Sequence, residues 1–144
     1  MFKLHEALAR DCVLVGDLPL CKVLLMNDNQ YPWLILVPRR HDIREICDLE
    51  PADQQLYLKE SNLSCDVLRA VFNAEKLNVA ALGNMVPQLH IHHLARFASD
   101  VAWPKPVWGV LPAKPYEPSI LASHLSELRS AYTANGLPLL VEAD

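Results

Sequence analysis

The sequence lacks a hydrophobic run that could cross a membrane, because no apolar segment approaches the roughly 20 residues that a transmembrane helix needs. Its N-terminus also lacks the basic segment followed by an apolar segment that marks a secretory signal. Basic residues are scattered apart from Arg39-Arg40, and the formal net charge is -4. We therefore expect a cytoplasmic protein that neither enters a membrane nor binds nucleic acid through a basic groove.

The sequence also lacks the paired cysteine spacing of metal and redox motifs. The chain has four cysteines, and none of them forms a Cys-x-x-Cys pair. Reduced, partly buried thiols are the simplest interpretation of such a pattern in a cytosolic protein, so we expect no disulfides. The 144 residues are 51% hydrophobic, which is typical of a globular protein. We expect a single domain over residues 1–144, with a core over about 11–97 and a C-terminal extension over about 98–144.

Hydrophobic periodicity assigns the elements of this core. The predicted elements are, in order, a helix over 2–10, a strand over 12–15, a hairpin of strands 20–26 and 33–37, a long helix from Pro51 to about Glu75, and strands over 77–82 and 86–97. The hairpin is indicated by two apolar runs around a polar turn, and the long helix by Pro51 at a first helical position. We expect an α+β fold with a mainly antiparallel sheet and the long helix on one face.

After Phe97 the composition changes. Residues 98–118 are rich in proline and contain Trp103 and Trp108. Two tryptophans in an irregular segment indicate that it packs against the protein, because a flexible linker would be richer in Gly and Ser. Helical spacing returns over 119–134, and Gly136 fits a C-terminal helix cap.

Polar side chains alternate along the last predicted strand. Gln88, His90 and His92 are each two residues apart, so we expect them to point to one face of the sheet. The residues between them, together with His93, point to the other face, which the long helix would cover. Such a polar row faces either solvent or a ligand.

Three interpretations of this face are open. The histidines could lie on a solvated face without a function. They could share a metal ion with His41 as a third ligand, although no Asp, Glu or Cys lies near this strand to complete the set. They could also act on phosphate, because a neutral imidazole can attack phosphorus while a neighbouring histidine stabilises charge on the phosphate oxygens.

Residues 88–94, Gln-Leu-His-Ile-His-His-Leu, resemble the His-φ-His-φ-His-φ-φ motif of the histidine triad (HIT) family, where φ is apolar. The resemblance extends upstream through the long helix and the hairpin, and covers about residues 11–97. The segment around Trp103 and Trp108 is similar to that of a bacterial branch of the family. The resemblance implies a HIT-like α+β fold with a five-stranded antiparallel sheet, followed by the irregular Trp/Pro-rich segment and a helix.

The resemblance also implies a mechanism. His90 matches the nucleophile that attacks the α-phosphate and forms a nucleotidyl-histidine intermediate, which water or another acceptor resolves. His92 matches the histidine that contacts the phosphate and assists the leaving group. Asn78 and Asn84 match positions that contact the phosphate or the nucleophile, and Asn27 lies where the family contacts the ribose.

The chain departs from the family pattern at two positions. Gln88 stands where the family has its first histidine, and Trp33 where many members have a histidine that supports it. We expect Gln88 to bind substrate and the two replacements to belong together, because in such members these side chains meet. The chemistry should survive, since a backbone carbonyl can accept the Nδ1–H of His90. His93, where the family prefers an apolar residue, is expected to be a hydrogen-bonded core histidine.

The expected protein is therefore a nucleotide hydrolase or transferase that cleaves a dinucleoside polyphosphate or a nucleoside phosphoramidate. We expect no cofactor and no metal. The resemblance implies a homodimer whose sheet continues across the subunits, with a nucleotide or nucleotide conjugate as its partner. Two alternatives stay open: a nucleotide-binding module with little or no turnover, because the first histidine is missing, and a metal site at the histidines.

Overall fold

The computed structural model describes residues 1–135 and 139–141. Five antiparallel strands form one sheet in the order β1-β2-β3-β5-β4. The strands are β1 (Cys12–Asp17), β2 (Cys21–Met26), β3 (Trp33–Pro38), β4 (Lys76–Ala80) and β5 (Ile91–Arg96). The helices are α1 (Glu6–Asp11), α2 (Pro51–Phe72) and α3 (Pro118–Ala134), with a short 3-10 turn at Ile46–Asp48. The predicted α+β fold with a five-stranded antiparallel sheet is confirmed.

Helix α2 is the long helix that the sequence predicts, and its ends follow local rules. Pro51 occupies the first turn, where a missing backbone N–H costs nothing, and Asp53 in the same turn complements the helix dipole. The helix ends at Phe72 rather than near Glu75. The reason is Asn73, which adopts a left-handed conformation with a φ of 58° and so ends the helical path.

The face of the sheet that α2 covers carries the larger hydrophobic core. Its fully buried members include Val23 of β2, Leu36 of β3, Ala95 of β5, Val67 of α2 and Leu128 of α3. Tyr132 of α3 donates its hydroxyl to Ser64 of α2 at 2.6 Å inside this core, which fixes the two helices to each other.

Among the helices that the structure describes, none combines the length and the apolar character needed to span a membrane.

The opposite face of the sheet is covered by α1 and by the proline-rich segment. A second cluster of buried residues joins Trp33, Ile35 and Leu94 of the sheet to Leu8 of α1 and Val107 of that segment. The prediction that the Trp/Pro-rich segment packs against the protein is therefore confirmed.

Strand β5 starts later than the sequence predicts. The pattern predicts a strand from Val86, whereas the strand begins at Ile91. Pro87 has no backbone N–H to donate to a neighbouring strand, and the Leu89 N–H donates to the Ile43 carbonyl at 2.9 Å, outside the sheet. The residue immediately before β5 is consequently His90, which belongs to a loop.

Helix α3 also supports the edge strand β1. Arg129 donates to the carbonyl oxygens of Leu14 and Val15 at 3.1 and 2.9 Å. The pairing of β1 with β2 is irregular between Leu14 and Gly16, so the arginine satisfies carbonyl groups next to that irregularity.

The predicted helix cap at Gly136 lies outside the described residues.

A buried carboxylate joins helix α2 to the start of β2. Glu60 is fully buried and accepts the backbone N–H groups of Leu20 and Cys21 at 2.8 and 2.7 Å. Burial raises the pKa of the Glu60 carboxyl above its ordinary value, even though these two donors favour its charged form.

Replacing Glu60 with Gln is expected to destabilise the fold. One of the two N–H groups would then face the amide NH₂ instead of an acceptor, and an unsatisfied buried donor costs roughly 1–3 kcal/mol. Urea unfolding measures the loss as a lower midpoint at an unchanged m value. Lys59→Gln, at an exposed neighbour on the same helix, is the control and should leave the midpoint unchanged. Equal midpoints for Glu60→Gln and the unsubstituted protein would contradict this account.

Candidate active site

His90 is held by the main chain just before β5. Its Nδ1–H donates to the carbonyl oxygen of Gln88 at 2.7 Å, because a carbonyl oxygen can only accept. In the neutral ring the other nitrogen, Nε2, then carries the lone pair. This is the backbone contact that the sequence predicts for a nucleophilic histidine, and it does not depend on which side chain occupies position 88.

His92 follows on β5, with its ring centroid 5.0 Å from that of His90. Trp33 on β3 donates its indole N–H to His92 Nδ1 at 3.0 Å. The strand register places Trp33 opposite Leu94, so the indole reaches His92 diagonally across the strand pair. Burial lowers the pKa of His92 to about 3, and the neighbouring His90 and His93 act in the same direction, so His92 is neutral at pH 7.

Both rings line a cavity of about 310 Å³. This volume lies at the lower end of the range typical of small-ligand sites. The other wall residues are largely apolar, with Asn84 as a further polar member: Met26, Trp33, Leu82, Gly83, Asn84, Met85, Val86 and Trp108. Within the described part of the chain, the protein provides a hydrogen-bond partner for Nδ1 of each histidine but none for Nε2. Each Nε2 is thus the ring nitrogen that remains for a ligand.

A buried arginine fixes the segment that closes one side of this cavity. Arg96 is 1% exposed and forms a bidentate pair with Asp100 at 2.8 and 3.1 Å. It also donates to the Lys105 carbonyl at 2.8 Å, while Asp100 accepts backbone N–H groups of the following turn. This arrangement sets the path of the chain toward Trp108, whose ring packs edge-on against His92 with 5.1 Å between centroids.

The structure brings three of the six predicted site residues to the cavity: His90, His92 and Asn84. Gln88 does not join them, in contrast to the prediction that it shares their face. Because β5 begins only at Ile91, the alternation of side chains does not extend back to residue 88.

The Gln88 side chain binds the N-terminal segment instead. It donates to the Lys3 carbonyl at 2.9 Å and accepts the His5 N–H at 2.8 Å. The expectation that Gln88 and Trp33 belong together is wrong, because the Trp33 indole is bonded to His92. The two departures from the family pattern therefore serve different parts of the molecule.

Asn78 and Asn27 also have partners outside the cavity. Asn78 Oδ1 accepts from Arg96 at 2.8 Å, and Asn27 Oδ1 accepts the Tyr116 N–H at 2.9 Å. Both amides thereby help to hold the chain that follows β5. Asn78 lies on β4 and lines a shallow neighbouring depression together with Trp108.

His93 points toward α2 and is fully buried, as the sequence predicts for a core histidine. Its Nδ1–H donates to the Ile91 carbonyl at 3.0 Å, and its Nε2 accepts the Ser61 hydroxyl at 2.7 Å. Burial lowers the pKa of His93 to about 4, so it too is neutral at pH 7.

The third histidine that a metal site would need is not at the cavity. His41 is exposed and lines the separate depression that also includes Gln88. Over residues 1–135 and 139–141, the structure contains no group of three or more His, Cys, Asp or Glu side chains arranged to hold a metal ion.

Local sequence patterns do not reveal two features of the site. The bond from Trp33 to His92 depends on a strand pairing that local patterns do not reveal. The loop between β4 and β5 forms a wall of the cavity with Leu82, Met85 and Val86. The signal for this wall is the apolar sequence around the Gly83-Asn84 turn, since surface turns are usually polar.

Comparisons with known proteins identify the family to which this fold belongs. Residues 8–99 match the family model described as HIT domain. A histidine triad protein from Marinobacter aquaeolei VT8 is 50% identical, with a TM-score of 0.90 over 93% of this chain and 98% of that one. Histidine triad proteins from Bradyrhizobium japonicum and Sinorhizobium meliloti 1021 are each 44% identical to this chain, with TM-scores of 0.89. Both matches cover 91% of this chain, and they cover 98% of the Bradyrhizobium protein and 97% of the Sinorhizobium protein. A comparison with curated proteins finds no match.

The depressed pKa values of His92 (about 3) and His93 (about 4) predict a loss of stability in acid. The unfolded chain takes up these protons near the ordinary histidine value of about 6.5, and the folded chain does not. Their contribution to stability is therefore complete above about pH 6.5 and is lost as the pH falls toward 4, by roughly 1.4 kcal/mol per pH unit for each histidine.

Urea unfolding of the His93→Gln variant at pH 5, 6 and 7 isolates one of these protons. Between pH 6 and 5 we expect the variant to lose less stability than the unsubstituted protein, by up to about 1.4 kcal/mol per pH unit, the dependence that one bound proton contributes. His41→Ala, at an exposed histidine, should keep the original slope. A pH dependence that is the same in His93→Gln would refute the assignment.

Proposed function

This chain belongs to the histidine triad family, and we propose that it is a nucleotidyl hydrolase or transferase whose nucleophile is His90. The observation that carries the proposal is the hydrogen bond from His90 Nδ1–H to the Gln88 carbonyl. It orients the ring and leaves the Nε2 lone pair for a ligand in the cavity. A histidine with one nitrogen so fixed can act as a nucleophile toward phosphorus.

The reaction follows from this geometry. His90 Nε2 forms a bond to the α-phosphorus of a nucleotide conjugate as the bond to the leaving group breaks. The ring becomes positively charged, and the Gln88 carbonyl that accepts its Nδ1–H stabilises this charge because the carbonyl dipole points its oxygen at the ring. Water or another acceptor then forms a bond to phosphorus and loses a proton to solvent as the N–P bond breaks, and the electron pair of that bond returns to His90 Nε2.

His92 and Asn84 are the groups proposed to bind the phosphate oxygens. Both line the cavity beside His90. A neutral histidine and an amide can donate hydrogen bonds to an anion without adding negative charge next to it. Asn78 and Asn27 bind the chain that follows β5 and the Gln88 side chain binds the N-terminal segment, so we assign these three side chains a structural role rather than substrate binding.

Replacing His90 with Ala tests the nucleophile. We expect kcat/KM for AMP release from diadenosine tetraphosphate to fall by roughly 10⁴-fold or more, because covalent catalysis is lost, and the nucleotide adduct seen by mass spectrometry of acid-free quenched protein to disappear. His41→Ala, at an exposed histidine outside the cavity, should retain both activity and adduct.

The same experiment separates catalysis from binding alone. AMP release that is equal in His90→Ala and the unsubstituted protein would refute the nucleophile. If the unsubstituted protein binds AMP but releases none from any adenylated compound, the chain is a nucleotide-binding module, as the missing first histidine allows.

We further propose that the chain is a homodimer formed through β4. In the described part of the chain this strand lies at one edge of the sheet, and an edge strand can pair with a second copy through its outer backbone groups. Apolar side chains in and after β4 are exposed: Val79 by 48%, Leu82 by 47% and Met85 by 93%. Exposed apolar groups beside an open strand edge are typical of an interface.

Replacing Val79 with Lys should therefore yield a monomer, because a charge on an edge strand opposes strand pairing between copies. Sedimentation equilibrium should give twice the chain mass of 16.2 kDa for the unsubstituted protein and 16.2 kDa for the variant. Ile120→Lys, at a similarly exposed position on α3, should remain a dimer. A mass of 16.2 kDa for the unsubstituted protein would rule out this interface.

A further inference from the structure

The bond between Trp33 and His92 defines where the proton of His92 lies. An indole N–H can only donate, so the His92 Nδ1 atom that receives it at 3.0 Å must carry a lone pair. A neutral imidazole has one N–H and one lone pair. The proton of His92 is therefore on Nε2, the nitrogen that is left for a ligand.

His90 has the opposite arrangement. Its Nδ1 carries the proton, because the Gln88 carbonyl oxygen at 2.7 Å can only accept, and its Nε2 carries the lone pair. The two rings are 5.0 Å apart and inclined by 73°. Side by side, they offer a ligand one nucleophilic lone pair and one N–H donor.

The surroundings of Trp33 oppose a second proton on His92. Trp33 and His92 are only 6% and 7% exposed. Tyr31 and Trp108 pack edge-on against the indole, with ring centroids 6.3 and 6.2 Å away, and hold it in place. A proton on His92 Nδ1 would face the indole N–H and leave that buried donor without an acceptor, which is unfavourable.

This arrangement limits what His92 can do during the reaction. To give up its Nε2 proton and remain neutral, the ring would have to gain a proton at Nδ1, where Trp33 already donates. Without that gain it would become an imidazolate anion. His92 can thus donate a hydrogen bond to a phosphate or leaving-group oxygen, but it cannot deliver a proton to the leaving group.

We propose that Trp33 is a positioning residue that holds His92 as a hydrogen-bond donor, and that the site consequently selects phosphoanhydrides over phosphoramidates. This inference rests on the proposed function. In an anhydride, the His90 Nε2 lone pair forms the N–P bond, the P–O bond breaks, and its electron pair leaves on an oxygen anion that needs no proton. A phosphoramidate must expel an amine, which leaves readily only after it has gained a proton.

Side-chain ¹⁵N NMR of histidine-labelled protein tests the proton positions without any substrate. We expect the His92 proton on Nε2 in the unsubstituted protein, and in Trp33→Phe a ring that is free to carry it on either nitrogen. Trp108→Phe is the matched control, because Trp108 packs on the same ring without donating to it, and His92 should keep its Nε2 proton there. A proton on His92 Nδ1 in the unsubstituted protein, or an unchanged ring in Trp33→Phe, would overturn the role of Trp33.

Kinetics with two adenylated compounds test the substrate class. The kcat/KM for diadenosine tetraphosphate should exceed that for adenosine phosphoramidate by roughly 10²-fold or more, the usual contribution of a general acid. In Trp33→Phe the ratio should shrink by about tenfold or more, because His92 can then carry two protons and deliver one.

The two compounds separate the choice of substrate from the identity of the nucleophile. Equal kcat/KM values for the two compounds, or a ratio that Trp33→Phe leaves unchanged, would overturn the selection of anhydrides while leaving His90 as the nucleophile. Release of AMP from neither compound would refute the proposed function and the substrate class together, and the NMR result would still decide whether Trp33 fixes the His92 proton.

Discussion

The pairing of β3 with β5 is the constraint on which the site depends. These strands are far apart in the sequence, yet their register puts Trp33 opposite Leu94 and Ile35 opposite His92. A shift of one residue would turn His92 into the α2 core and His93 toward the cavity, because side chains alternate between the faces. Both strands are buried along their whole length, so packing on both faces of the sheet enforces this register.

His90 and His93 are anchored by the same kind of main-chain hydrogen bond but lie in different surroundings. His90 and His93 each donate Nδ1–H to the carbonyl of the residue two positions earlier, Gln88 and Ile91. The bond leaves Nε2 without a main-chain partner in both rings. On the α2 side Ser61 fills this position, and the histidine becomes part of the core. On the other side the position opens into a cavity, so the environment of one nitrogen separates a structural histidine from a proposed nucleophile.

Local patterns predicted the parts of the structure that depend on neighbouring residues. The hairpin of β2 and β3, the long helix, the opposite faces of His92 and His93, and the main-chain anchor of His90 all follow from short-range periodicity or backbone chemistry. The partners of Gln88, Asn78 and Asn27 could not be predicted in this way. Each amide binds a segment that is brought close only by the finished fold: the N-terminal residues, the end of β5 and the chain before α3.

The main chain and the side chain of Gln88 have different roles. Its main-chain carbonyl anchors the proposed nucleophile, while its side chain binds residues 3–5 to the loop that precedes β5. Any L-amino acid supplies the same carbonyl, so evolution can exchange the side chain without removing the contact on which His90 depends. Position 88 belongs to the family motif, yet its side chain can change without affecting the contact that orients His90. The replacement of a histidine by glutamine can then record a change in how the N-terminus is attached rather than a change in chemistry.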